Sequence, residues 1–69
     1  MATYHAILRQ EPDGWIGWVE EIPGVNSQGS TREELLANLQ SALSEAIELN
    51  REAARAEAGP SFEEAKIAV

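Results

Sequence analysis

The sequence predicts an α+β domain with the element order β-β-β-α-β. Three observations predict it. Two runs rich in β-formers flank Pro12-Asp13-Gly14. A second breaker, Pro23-Gly24, leaves room for one short strand before Gly29. Then Ser30-Thr31-Arg32-Glu33-Glu34 opens a long amphipathic stretch that stops at Gly59-Pro60.

The first strand is Ala2 to Gln10, and the second is Trp15 to Ile22. Between them, proline presets the first turn position and Asp-Gly supplies the residue able to take positive φ, so the two runs form a hairpin. After Pro23-Gly24, Val25 to Gln28 makes a short third strand. Strands this close in sequence, joined by tight turns, form an antiparallel meander.

Ser30 with Glu33, and Thr31 with Glu34, both fit a capping box, in which a hydroxyl takes an orphan N–H and the glutamate reaches back. Apolar residues then recur at Leu35, Leu36, Leu39, Ala42, Leu43, Ala46 and Ile47, one continuous helical stripe. Glu48–Arg51 and Glu52–Arg55 are spaced as i, i+3 pairs on the solvent side. Glycine and then proline end the helix. Lys66 to Val69 reads as a final strand, anchored by Phe62.

A helix from Thr31 to about Ala56 is roughly 39 Å long, whereas an eight-residue strand spans about 26 Å. The turns around Glu48 to Glu57 are therefore expected to overhang the sheet or fray. The sheet has a second consequence. Tyr4, Ala6 and Leu8 point one way and Thr3, His5 and Ile7 the other; Trp15, Gly17 and Val19 oppose Ile16, Trp18 and Ile22. Both faces carry large apolar groups, and one helix covers only one of them. The uncovered face is expected to be an interface for self-association.

Sixty-nine residues make a single small domain, residues 1–69, with a marginal core of its own. Such scaffolds add disulfides, a metal or a partner subunit. There is no cysteine and one histidine, so oligomerisation to a dimer or tetramer is the expected support. Twelve Asp and Glu against five Lys and Arg give a net charge of −7. That balance disfavours direct nucleic-acid contact and anionic lipid. It either attracts a basic protein partner or serves solubility alone. Arg9, Gln10 and Glu11 interrupt the N-terminal apolar run, so nothing there resembles a signal peptide and none is expected, and no stretch approaches a membrane span. A cytoplasmic protein is expected.

No catalytic set emerges. His5 sits alone in a strand without a nucleophile at recognisable spacing. Glu20 and Glu21 are adjacent in a strand and point apart. Ser30 and Thr31 are explained by capping, and the glycines by turns rather than by a phosphate cradle. The tryptophans lack the surrounding basic residues that base stacking needs. The expectation is a protein that is not an enzyme and takes no cofactor.

With these elements placed, the chain resembles the HicB family of antitoxins, specifically its N-terminal domain. The resemblance is carried by Tyr4, Asp13-Gly14-Trp15, Ile22-Pro23-Gly24 and Gly29-Ser30-Thr31-Arg32-Glu33-Glu34-Leu35 in the family's order, with Asn38, Ala42 and Leu43 at like helix positions. It covers about Tyr4 to Leu49. It implies a degraded ribonuclease-H-like fold with the last strand beside and parallel to the first, reached by a right-handed crossover. Active ribonuclease-H enzymes hold metal on strand carboxylates. His5-Ala6-Ile7 and Ile16-Gly17-Trp18 have none, so the resemblance implies the fold without the nuclease.

HicB-type proteins bind and block HicA, a small basic toxin that cleaves messenger RNA, and an acidic chain suits that partner. Tyr4, Trp15, Trp18, Glu45, Glu48 and Glu52 are the candidate partner or self-association contacts. Many family members add a C-terminal DNA-binding domain. None follows here before Val69, so promoter binding is not expected. The family's Pro-Asp before its L-P-G segment is Glu20-Glu21 in this chain. Solitary members without a toxin also exist, which leaves a stand-alone oligomeric binding module as the alternative.

Overall fold

A computed structural model describes residues 3–68. It has three strands, β1 (Ala6–Glu11), β2 (Gly14–Val19) and β3 (Asn26–Gly29), followed by one helix, α1 (Arg32–Ala58). The sheet order is β1-β2-β3, both pairings antiparallel, so the meander and the long helix are as the sequence predicts.

Glu11 pairs with Gly14, leaving Pro12-Asp13 as a two-residue turn, and Gly14 takes φ +145°, where an L side chain is rarely found. At the other end β2 stops at Val19, three residues short of Ile22. The Glu20 N–H still donates to the His5 carbonyl at 2.8 Å. The chain then turns through Ile22-Pro23-Gly24-Val25, with the Val25 N–H on the Ile22 carbonyl at 3.4 Å and Gly24 at φ +87°. Proline and then positive-φ glycine are what a type II turn requires. The turn ends the strand alternation, so Ile22 packs against the core instead of sharing a face with Ile16 and Trp18 as expected.

Of the two capping boxes the sequence offers, the helix uses Thr31 and Glu34. The Glu34 N–H donates to Thr31 Oγ1 at 3.1 Å, while a Glu34 carboxylate oxygen accepts the Ser30 N–H at 3.0 Å. Gly59, at φ +82°, closes the other end by donating its N–H to the Ala56 carbonyl.

α1 lies over β2 and β3. Leu35 and Leu39 are buried with Val19 and Val25, and Leu8, Trp15, Ile22, Ala42, Leu43 and Ala46 pack around them. Gly17 permits this approach. A Cβ there would stand 2.7 Å from the Ile7 carbonyl oxygen and 3.1 and 3.2 Å from methyls of Leu35 and Leu39. From Glu48 to Ala58 every helix residue is exposed, so the overhang expected from the length mismatch is present, within an unbroken helix.

After Gly59 the chain folds back beside the helix, where Arg55 Nε donates to Glu64 Oε1 at 3.1 Å. Arg55 thus pairs with the tail and not with Glu52, and among the described residues no ion pair joins Glu48 to Arg51. Lys66, Ile67 and Ala68 carry no strand, and Val69 of the expected final strand lies outside the described residues. Phe62 is half exposed and anchors nothing in the core. Phe62 stays clear of the core because the helix carries the reversal at Gly59-Pro60 about three turns past its last half-buried residue, Ile47.

Candidate interaction surfaces

Alternation along the strands decides which side chains face away from α1. In β1 these are Ile7 and Arg9; in β2, Ile16 and Trp18; in β3, Asn26 and Gln28. Ile7 is the cross-strand partner of Trp18, and Arg9 of Ile16. The Arg9 guanidinium lies 5.9 Å from the Trp18 ring centroid and also bonds Glu11, with Nε 3.3 Å from Oε2. Nothing among the described residues covers this face, and Ile7 and Trp18 are 40% and 39% exposed.

A second surface runs along the outer side of β1. α1 sits over the other two strands, leaving a groove of about 270 Å³ between β1 and the helix. Tyr4, Ala6, Leu36, Leu39 and Leu43 line it, and Tyr4 and Leu36 are exposed. The Glu20-to-His5 bond sets the hydrogen-bonding alternation, in which odd-numbered residues of β1 face β2. The N–H and C=O groups of Ala6, Leu8 and Gln10 therefore point outward from an open edge, free of proline or a bulge.

The third surface is acidic. Glu45, Glu48 and Glu52 share one side of α1, all exposed, with no ion-pair partner among the described residues. At the hairpin end of the sheet a cleft of about 460 Å³ gathers Glu11, Asp13 and Glu34 around Trp15 and Asn38. The Asn38 amide donates to the Gln28 carbonyl at 2.8 Å and ties the helix start to β3. Three carboxylates beside an aromatic ring suit a cationic side chain and repel phosphate.

The candidate residues are thus dispersed. Tyr4 lies in the groove, Trp18 on the uncovered sheet face, and the three glutamates on the helix. Trp15 is half-buried on the helix side of the sheet and lines the acidic cleft, so the two tryptophans serve opposite faces. Sequence reasoning missed that cleft, because Glu11, Asp13 and Glu34 come from separate segments. It also missed the pairing of His5 with Glu21, whose Oε2 lies 2.6 Å from the imidazole Nδ1. Among the described residues, no group of three or more His, Cys, Asp or Glu side chains is placed to hold a metal ion, and no helix is long and apolar enough to cross a membrane. Comparison with known proteins returns no matching family model, no matching curated protein and no matching solved structure.

Proposed function

We propose that this chain is an antitoxin-like protein of the cytoplasm, which binds and neutralises a small basic messenger-RNA-cleaving toxin of the HicA type. The observation that carries the reading is the set of exposed glutamates Glu45, Glu48 and Glu52 on one side of α1, with no ion-pair partner among the described residues. Carboxylates presented this way attract a cationic protein from a distance and compete with RNA for its basic surface. The ribonuclease-H-like arrangement that goes with this reading adds residues 66–69 as a fourth strand beside β1. The unpaired β1 edge and the apolar groove next to it are what such a strand would complete.

The test is capture from the source lysate at low salt, mass spectrometry of what elutes, and an RNA-cleavage assay on the captured protein. The expected result is a small basic protein released by salt, whose cleavage of messenger RNA stops when this chain is added. Association should slow when Glu45, Glu48 and Glu52 are changed to lysine. Rates that ignore both the charge reversal and the salt would remove the electrostatic basis of the proposal. A second reading, a stand-alone oligomeric binding module, is favoured by the uncovered Ile7–Trp18 face, and it prevails if no basic partner is captured.

A further inference from the structure

An antiparallel sheet tolerates water on one face when that face is polar. The face turned from α1 is apolar at its centre, where the Ile7–Trp18 rung adjoins the Arg9–Ile16 rung. The whole molecule is also open. It exposes 5782 Å², against about 4,200 Å² for a folded monomer of its mass. Its radius of gyration is 15.2 Å, against about 11 Å for a compact chain of this length. The helix overhang accounts for part of the difference. Another part lies on the uncovered sheet face, where Ile7 and Trp18 are 40% and 39% exposed. Among the described residues the buried hydrophobic side chains are those of Val19, Val25, Leu35 and Leu39 alone, a small core.

Charge indicates what covers the face. The helix and the tail after it carry eight of the twelve carboxylates. A second copy of an acidic chain is repelled on that side. On the uncovered sheet face the charges are Arg9 and Glu11 of the β1 edge, and these pair with each other. The face is also complementary to itself. A two-fold axis running across the strands, between the two apolar rungs, lays Trp18 on Ile16 of the other copy. It sets Ile7 against the other copy's Arg9 methylenes, and Asn26 opposite Gln28 at the rim, where the amides can exchange hydrogen bonds. A tryptophan on the central strand, with an arginine and amides on the edge strands, is the composition of a protein interface.

We propose that two copies of this chain pack these sheet faces together about that axis, giving a four-layer dimer with the helices outside. The inference deepens the reading of the chain as a protein-binding module. It is tested on purified chain alone, so its failure is separable from a failure to capture a toxin.

Light scattering at micromolar concentration should give twice the 7.5 kDa chain mass. Trp18→Glu should give a monomer that keeps its helical circular dichroism, and Leu36→Glu, on the other side of the sheet, should remain a dimer. Because the chain has no cysteine, a mixture of Ile16→Cys and Trp18→Cys should oxidise to the mixed disulfide in preference to either symmetric one. That crosslink decides the matter if Trp18→Glu does not fold. A wild-type monomer would overturn the proposal. So would a Trp18→Glu dimer, or a mixture without preference for the mixed disulfide. Loss of the dimer in Leu36→Glu alone would place the second copy in the groove along β1 instead.

Discussion

His5 and Glu21 hold each other through two contacts. The Glu21 carboxylate accepts the His5 backbone N–H at 2.9 Å through Oε1, and its Oε2 lies 2.6 Å from the imidazole Nδ1. With the Glu20 N–H on the His5 carbonyl, the segment entering β1 is tied to the segment leaving β2 just where the strand pairing ends. Glu21, two residues past the end of β2, thereby closes the β1–β2 pairing with its side chain.

The pair makes stability depend on pH. His5 is raised above its ordinary value of 6.5, chiefly by the hydrogen bond to Glu21 and then by that group's charge. Glu21 is lowered from 4.5, chiefly by the His5 backbone N–H and then by the imidazole. The His5 contribution is full below its unfolded value and is lost as pH rises through its raised folded one. The Glu21 contribution is present above its ordinary value and is lost as pH falls through its lowered one. The pair therefore stabilises most between about pH 4.5 and 6.5. As His5 is the sole histidine, an NMR titration of its ring should give a pKa above 6.5 that falls toward that value in Glu21→Gln. An unmoved titration would mean that the contact does not persist in solution.

Thr31→Ala removes the hydroxyl that holds the Glu34 N–H and should cost about 1 kcal/mol. In a domain of this size that lowers the melting temperature by roughly 4–8 °C. Ser30→Ala should be close to neutral, because only the backbone N–H of Ser30 bonds Glu34. Thermal denaturation that ranked the two substitutions the other way would assign the cap to Ser30.

Gly17→Ala should destabilise by about 1–3 kcal/mol through overpacking. Its new methyl meets a backbone oxygen at 2.7 Å, which cannot move aside without breaking the sheet. At Gly24 nothing lies within 4 Å and the strain is in the backbone, at φ +87°, so Gly24→Ala should cost about 1–2 kcal/mol. Urea denaturation separates them further when each is enlarged to leucine, which is not branched at Cβ: the loss at position 17 should grow steeply, while at position 24, where space is open, it should change little.

Leu39→Ala empties part of the interior and should cost about 2–5 kcal/mol, a large share of the 5–15 kcal/mol typical of a whole domain. Leu49→Ala, just inside the exposed half of the same helix, should fall within about 0.5 kcal/mol. Equal losses at the two positions would show that the overhang is packed in solution.

Amide hydrogen exchange should divide α1 in the same place. Amides of the turns carrying Leu35, Leu39 and Leu43 should open only with the whole domain, whereas those past Leu49 should exchange through local fraying. An isolated helical segment of this length has little stability of its own in water. Slow exchange from Asn50 to Ala58 under conditions where the chain is monomeric would contradict the free overhang.

The local elements were legible because each rests on chemistry within a few residues. Pro12-Asp13-Gly14 makes its turn wherever it stands, and Pro23-Gly24 makes another. Thr31 and Glu34 need only each other to start the helix, and Gly59-Pro60 to stop it. The rest depended on what the elements meet. Strand alternation placed Trp15 and Trp18 on opposite faces, but only the position of α1 over β2 and β3 made one of them half-buried and left the other facing water. The alternation rule failed for Ile22, since a type II turn replaces it there. Arg55 lies three residues from Glu52, yet it bonds Glu64, which a chain reversal brings closer.

The sequence by itself therefore determined the three-stranded meander, its turns, the helix with its start and stop, and a length of helix greater than the sheet can cover. All of these follow from dihedral preference and side-chain period. The tertiary structure decided which faces stay open, that the β1 edge is unpaired, that His5 meets Glu21, and that the carboxylates of Glu11, Asp13 and Glu34 gather around Trp15. Those outcomes depend on packing between residues distant in the chain, and no local preference encodes them.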